Sequence, residues 1–300
     1  MNTEADVSVI RRQDARATQP FLWSVRRELW ENKSIYIAPL IVAGVILFGS
    51  LISATHLPNR RRLAMLLDPA HRRAAIEMPY SVACVMILLT AFIVGLFYCL
   101  DALYGERRER SILFWKSLPV SDVTTVLSKI TVPLVILPAI ILPTIVITQF
   151  IMMLISSAAL MPSGLSSTTW ANFNLVQQSV ILIYMLIVIT LWHAPIYGWA
   201  LLISNVARRA TFLWAVMPFI AASIFEKITF NTTYFYSMLK NRVFGAGDVA
   251  FSMQGNFSID SLSQLTPGKF LSAPGLWIGL IFAVAFVIAA IRLRRYRGPL

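Results

Sequence analysis

The chain has 300 residues, 57% of them hydrophobic and only 13% charged, and its mean hydropathy is +0.70. Soluble domains usually carry about 45–50% apolar and about 25% charged residues, so this composition excludes an ordinary soluble enzyme or binding module. The net charge of +12 does not indicate a nucleic-acid partner, because the basic residues flank apolar windows instead of forming a stripe interleaved with aromatics.

Residues 1–34 read as a cytoplasmic N-terminus. The first 20 are polar and lack the apolar core of a cleavable signal. From Pro20 to Lys33 the spacing predicts a helix with Phe21, Leu22, Val25 and Leu29 on one face and Ser24, Arg27, Glu28 and Glu31 on the other. Trp23 and Trp30 fall near the border. This pattern suits a helix lying in the headgroup plane with its tryptophans at the polar boundary. A helix docked on a partner protein gives the same pattern.

Residues 35–300 read as one all-α transmembrane domain of about six helices. The apolar windows are Ile35–Thr55, Pro79–Leu100, Ile130–Ser156, Ser179–Ser204, Thr211–Phe225 (extending to about 228) and Ala273–Ile291. Most reach the roughly 20 residues that a helix needs to cross the hydrocarbon core. Charge is cleared from them because one ion at the bilayer centre costs about 2.5–3.5 kcal/mol even on the lenient insertion scale. Pro133, Pro138 and Pro143 each remove a backbone donor from the third window, which predicts bends there. Cys84 and Cys99 fall in one predicted helix about 22 Å apart and cannot pair within it.

Most of the 26 basic residues flank the windows on the side that holds both termini, which predicts a multi-pass plasma-membrane protein with cytoplasmic ends. The segment between His56 and Met78 runs against this rule. It carries Arg60, Arg61, Arg62, Arg72 and Arg73 on the external side. The last external segment, residues 229–272, is long, with Gly245, Gly247, Gly255 and Pro267 as turn points.

No HExxH, GxSxG or GxxxxGK[ST] signature occurs, so neither a catalytic centre nor a phosphate loop is expected in this chain. Its histidines are His56, His71 and His193, too few for a histidine-rich metal site. His193, within the fourth window, and Glu226, near the end of the fifth, are candidate pathway residues because intramembrane ionisable groups often serve that role. A histidine bonded to a neighbouring helix is the simpler reading of His193.

The loop after the second window reads ERRERSILFWKSLPVSD. A charged run, Glu106, Arg107, Arg108, Glu109 and Arg110, meets an apolar one, Ile112, Leu113, Phe114 and Trp115. Leu118-Pro119-Val120 then breaks the helix and Ser121 can cap the next. Exposed aromatics beside charges make a docking surface; the same apolar residues can also fold back on the membrane.

This stretch, with Lys129 about eight residues further on, resembles the loop after the second span of ABC-2 type permeases, the six-span subunits of ATP-binding-cassette exporters. The resemblance implies a homodimeric permease driven by two copies of a separate ATPase, which would hold ATP and Mg. It further implies that Glu106–Trp115 forms a coupling helix on that ATPase. The arginines between His56 and Met78 depart from the family layout, as does Phe114-Trp115-Lys116. Two other classes stay open: a membrane sensor or accessory subunit without transport, and a proton-coupled carrier using His193 and Glu226.

Overall fold

The computed structural model describes residues 20–109, 121–252 and 261–296. Among these residues the chain is helical throughout, without strands; Phe251 and Leu265 form one isolated antiparallel bridge. Six helices are long and apolar enough to cross a membrane: Ser34–Ala54, His71–Arg108, Asp122–Ser163, Leu175–Val206, Thr211–Phe230 and Pro274–Tyr296. They match the six apolar windows in order. Helices are the expected solution, because each satisfies its own backbone where no water is present.

A first helix, α1, covers residues 20–31, and α2 (Ser34–Ala54) follows as the first span. The segment predicted as an external loop is instead mostly helical. It holds α3 (Leu57–Met65) and the first turns of α4 (Pro69–Ala102), the second span. The signal for α4 is local: Asp68 Oδ2 accepts from the His71 backbone N–H at 3.5 Å and Pro69 occupies the first turn. A short helix, α5 (Tyr104–Arg108), ends the second span.

The third span begins at α6 (Asp122–Thr131), capped as predicted by Ser121, whose Oγ accepts from the Thr124 N–H at 3.1 Å. Pro133 then sits in a π-helical turn, Val132–Ile136, before α7 (Leu137–Leu160). The proline's missing donor is thus absorbed by a wider turn rather than by a break. A small helix, α8 (Ser167–Asn172), leads into α9 (Leu175–Val206), the fourth span. Next come α10 (Thr211–Phe230), α11 (Tyr234–Phe244), α12 (Ala246–Ala250), α13 (Pro267–Ser272) and the sixth span, α14 (Pro274–Tyr296).

The main core is built by the first four spans, from residues such as Ile35, Ile87, Cys99, Ile141, Ile145 and Leu201. The sixth span lies along the fourth, and Gly198 permits the approach. A Cβ placed there would come within 3.2 Å of the Ala283 carbonyl oxygen. The fifth span is held mainly by Trp199, which donates to the Ala215 carbonyl at 3.1 Å and meets Phe219 edge-on. Ala215 is its one buried residue, so nearly its whole surface is open to lipid or to another chain.

Candidate functional site

Where α1, the end of the second span, the start of the third and the end of the sixth converge, charged side chains meet inside the protein. Glu28 of α1 is 1% exposed, Lys129 2%, Arg294 2% and Glu106 7%. Lys129 Nζ donates to Glu28 Oε1 at 2.8 Å and lies 3.1 Å from Glu106 Oε1. Arg27 Nη2 reaches the same two oxygens at 2.8 and 3.1 Å. Arg294 closes the far side, with Nη1 at 2.6 Å from Glu106 Oε2 and Nε at 3.1 Å from Asp122 Oδ1. The Tyr98 hydroxyl donates to Glu28 Oε2 at 2.8 Å.

Three cations thus face three carboxylates; Glu28 and Glu106 each sit against more than one cation, and Asp122 pairs with Arg294. Such a cluster adds little stability relative to an apolar core, since desolvation offsets the Coulomb gain. Its effect is geometric. Four separate elements are locked in one register, and any member removed leaves a buried charge behind.

The two faces of α1 are not sorted as predicted: Val25 and Leu29 of the apolar face pack inward together with Arg27 and Glu28, while Glu31 is exposed. Arg27 and Glu28 face the bundle, with Val25 buried beside them, while Leu22, Trp23 and Trp30 are each more than half exposed. The reason is that partners for Arg27 and Glu28 lie on three other helices, and these outbid water. Arg26 stacks over the Trp23 and Trp30 rings at 5.6 and 4.6 Å from their centroids.

Two residues assigned by sequence to the docking run are buried. Glu106 belongs to the buried cluster. Arg107 is 4% exposed and donates from Nη1 to the Asn205 and Ala207 carbonyls at 2.6 and 3.3 Å. Both anchor the loop to the bundle. Arg108 and Glu109 are exposed and pair at 3.3 Å. Arg110, Ile112, Leu113, Phe114 and Trp115 lie outside the described residues.

The two candidate pathway residues do not meet. His193 is 6% exposed and bridges the fourth span to α11: its Nδ1 is 2.9 Å from the Ile189 carbonyl oxygen and its Nε2 3.0 Å from that of Val243. Both partners are acceptors, so a neutral ring with one N–H satisfies one of them and only the doubly protonated ring satisfies both. Glu226 instead ends a different contact. Its oxygens accept from Thr232 Oγ1 at 2.7 Å and from the backbone N–H groups of Tyr234 and Phe235, both at 2.8 Å. It thereby holds the start of α11.

Sequence reasoning missed Glu28, Tyr98 and Arg294 as members of one site and used Lys129 only as a motif position. A weak signal was present, since Lys129 and Arg294 each sit at the very edge of an apolar window. No group of three or more metal-ligating side chains occurs among the described residues. The chain matches no protein-family model, no curated protein and no solved structure.

Proposed function

We propose that the chain is the membrane-spanning subunit of an ATP-driven exporter of the ABC-2 permease type. Two copies would form the pathway in the plasma membrane, with both termini cytoplasmic. Two copies of a separate ATPase would bind ATP and Mg and do the hydrolysis. The exposed apolar and aromatic side of α1 would lie on the inner membrane surface.

The observation that carries this reading is the buried ionic cluster. It stands at the root of the segment that follows the second span and ties that root to three spans and to α1. A force applied to the docking run by a moving ATPase would then reach the spans through a rigid joint rather than a slack loop. Two rigid arrangements biased by a bound nucleotide are the physical form of such a switch. With Glu106 and Arg107 turned inward, the docking surface is assigned to Arg108–Arg110 and Ile112–Trp115.

The carrier reading has less support. Both oxygens of Glu226 are already occupied by donors of its own loop, and His193 bonds backbone carbonyls rather than another titratable group. Isolation of the tagged chain in mild detergent tests the proposal. A soluble ATPase in about equal amount is expected. Recovery of the chain alone at every detergent strength contradicts it.

A further inference from the structure

The end of the bundle opposite the ionic cluster carries a charge imbalance that transport does not explain. Between His56 and Met78 there are five arginines against Asp68 and Glu77. The two carboxylates serve local partners: Asp68 Oδ1 lies 2.7 Å from His71 Nδ1 and Glu77 Oε1 accepts from Arg73 Nε at 2.8 Å.

Arg61 is placed differently from its neighbours. Arg60 and Arg62 on α3 are exposed, but Arg61 turns inward and is 5% exposed. Its Nη2 donates to Thr169 Oγ1 of α8 at 3.2 Å. Its Nε and Nη1 are buried and have no hydrogen-bond partner among the described residues. Those two nitrogens carry three of the five guanidinium N–H groups. Tyr80 is the titratable neighbour, and its hydroxyl is turned to Ser156 Oγ at 3.2 Å. Burial pushes the Arg61 guanidinium down from its ordinary value, yet a guanidinium that starts so high stays charged at neutral pH.

A buried cation with unfilled donors and no carboxylate beside it is strongly disfavoured unless something else supplies the oxygens. Guanidinium donors match the oxygens of a phosphate group better than any other common anion. The outer side of α3 supplies the setting: Leu63, Leu66 and Leu67 are exposed next to the arginines, the mixture found where a helix meets lipid headgroups.

We propose that the inward-turned Arg61 guanidinium, between α3, α4 and α8, is the centre of a binding site for a phosphate-type oxyanion, shared with Thr169. A phospholipid headgroup and free phosphate offer the same chemistry. An anion filling the site pins α3 to α8 and α4 and so orders this end of the bundle. The inference does not depend on the transport reading.

The test uses the full chain in lipid nanodiscs and reads thermal unfolding. Three conditions are compared at equal ionic strength: phosphatidylcholine alone, phosphatidylcholine with phosphatidylglycerol, and phosphatidylcholine with inorganic phosphate in place of chloride. The wild type and Arg62→Met are expected to gain ~3 °C or more in an anionic condition. Arg61→Met is expected to lose that gain, and to match or exceed the wild type in phosphatidylcholine alone, since its unpaired charge is gone. A gain with phosphatidylglycerol only assigns the site to a headgroup; a gain with phosphate in phosphatidylcholine assigns it to the free anion. Equal gains in wild type and Arg61→Met, or no gain in either condition, overturn the proposal. Should Arg61→Met not fold, native mass spectrometry of the wild type decides alone: retention of one phosphate-bearing molecule through delipidation is expected, and none retained overturns the site.

Discussion

Glu106 and Arg294 meet at 2.6 Å although 188 residues separate them. The other oxygen of Glu106 lies 3.1 Å from both Lys129 and Arg27, so a single carboxylate joins the ends of the second and sixth spans, the start of the third, and α1. Glu106→Gln should cost about 3–5 kcal/mol, because it leaves buried cations short of a counter-charge. Thermal unfolding in detergent measures this. In a double-mutant cycle with Arg294→Met the two changes should be less than additive by ~1 kcal/mol or more; strict additivity would show that the pair is not coupled.

The six spans were legible because the bilayer acts on composition: charge had been cleared from windows of the right length, and the helices follow those windows. The helix start at Ser121 was legible from its capping chemistry. Local rules also mark the start of α4, where Asp68 precedes Pro69, but the apolar window that located the second span begins only at Pro79. The cluster was not legible. Lys129 and Glu28 are 101 residues apart, and nothing in one sequence says which distant ions will share a site. That Arg27 and Glu28 of α1 turn inward was hidden for the same reason, since amphipathicity separates two faces without saying which one meets water.

The Tyr98 hydroxyl donates to a charged acceptor, Glu28. Tyr98→Phe should therefore cost about 1.5–3 kcal/mol. Lys129→Met, which strips a buried cation from between Glu28 and Glu106, should cost more, about 3–5 kcal/mol. The order of the two, read from unfolding temperatures, is the informative quantity. A tyrosine variant weaker than the lysine variant would mean that the charges are not what holds the cluster.

His193 and Trp192 are polar ties between the fourth span and the end of α11: His193 Nε2 lies 3.0 Å from the Val243 carbonyl oxygen and Trp192 Nε1 donates to the Asn241 carbonyl at 3.3 Å. Replacing His193 by Phe removes both ring nitrogens from the Ile189 and Val243 carbonyls while keeping a ring beside Phe92, 4.9 Å away between centroids. Hydrogen exchange over residues 234–244 should quicken about tenfold, as expected when one hydrogen bond of ~1.4 kcal/mol is lost. Residues 98–106, at the other end of the bundle, should be unaffected. Equal exchange in both forms would mean that Glu226, the Trp192–Asn241 bond and apolar contact hold α11 without His193.

Burial pushes the Glu31 carboxyl up, with Arg27 acting against it and Glu28 adding to it. The folded chain therefore holds that proton more tightly than the unfolded chain. The corresponding stability is fully present below the ordinary carboxylate range and is lost as pH rises through the folded value. Glu31→Gln should remove this component, so that unfolding temperature varies less with pH just above the ordinary carboxylate range. A pH profile identical to that of the wild type would show that Glu31 is solvated as freely in the fold as in the unfolded chain.

The central claim is that a separate ATPase docks on the run that follows the second span and is rooted in the cluster. It is tested most directly by the amount of ATPase that co-purifies per chain, wild type against Phe114→Ala/Trp115→Ala. Losing two aromatic anchors should remove about 3–4 kcal/mol of binding, a loss of a hundredfold or more. That loss is expected with the variant still inserted in the membrane and unfolding at the wild-type temperature. Undiminished co-purification of the ATPase with the doubly substituted chain would contradict it.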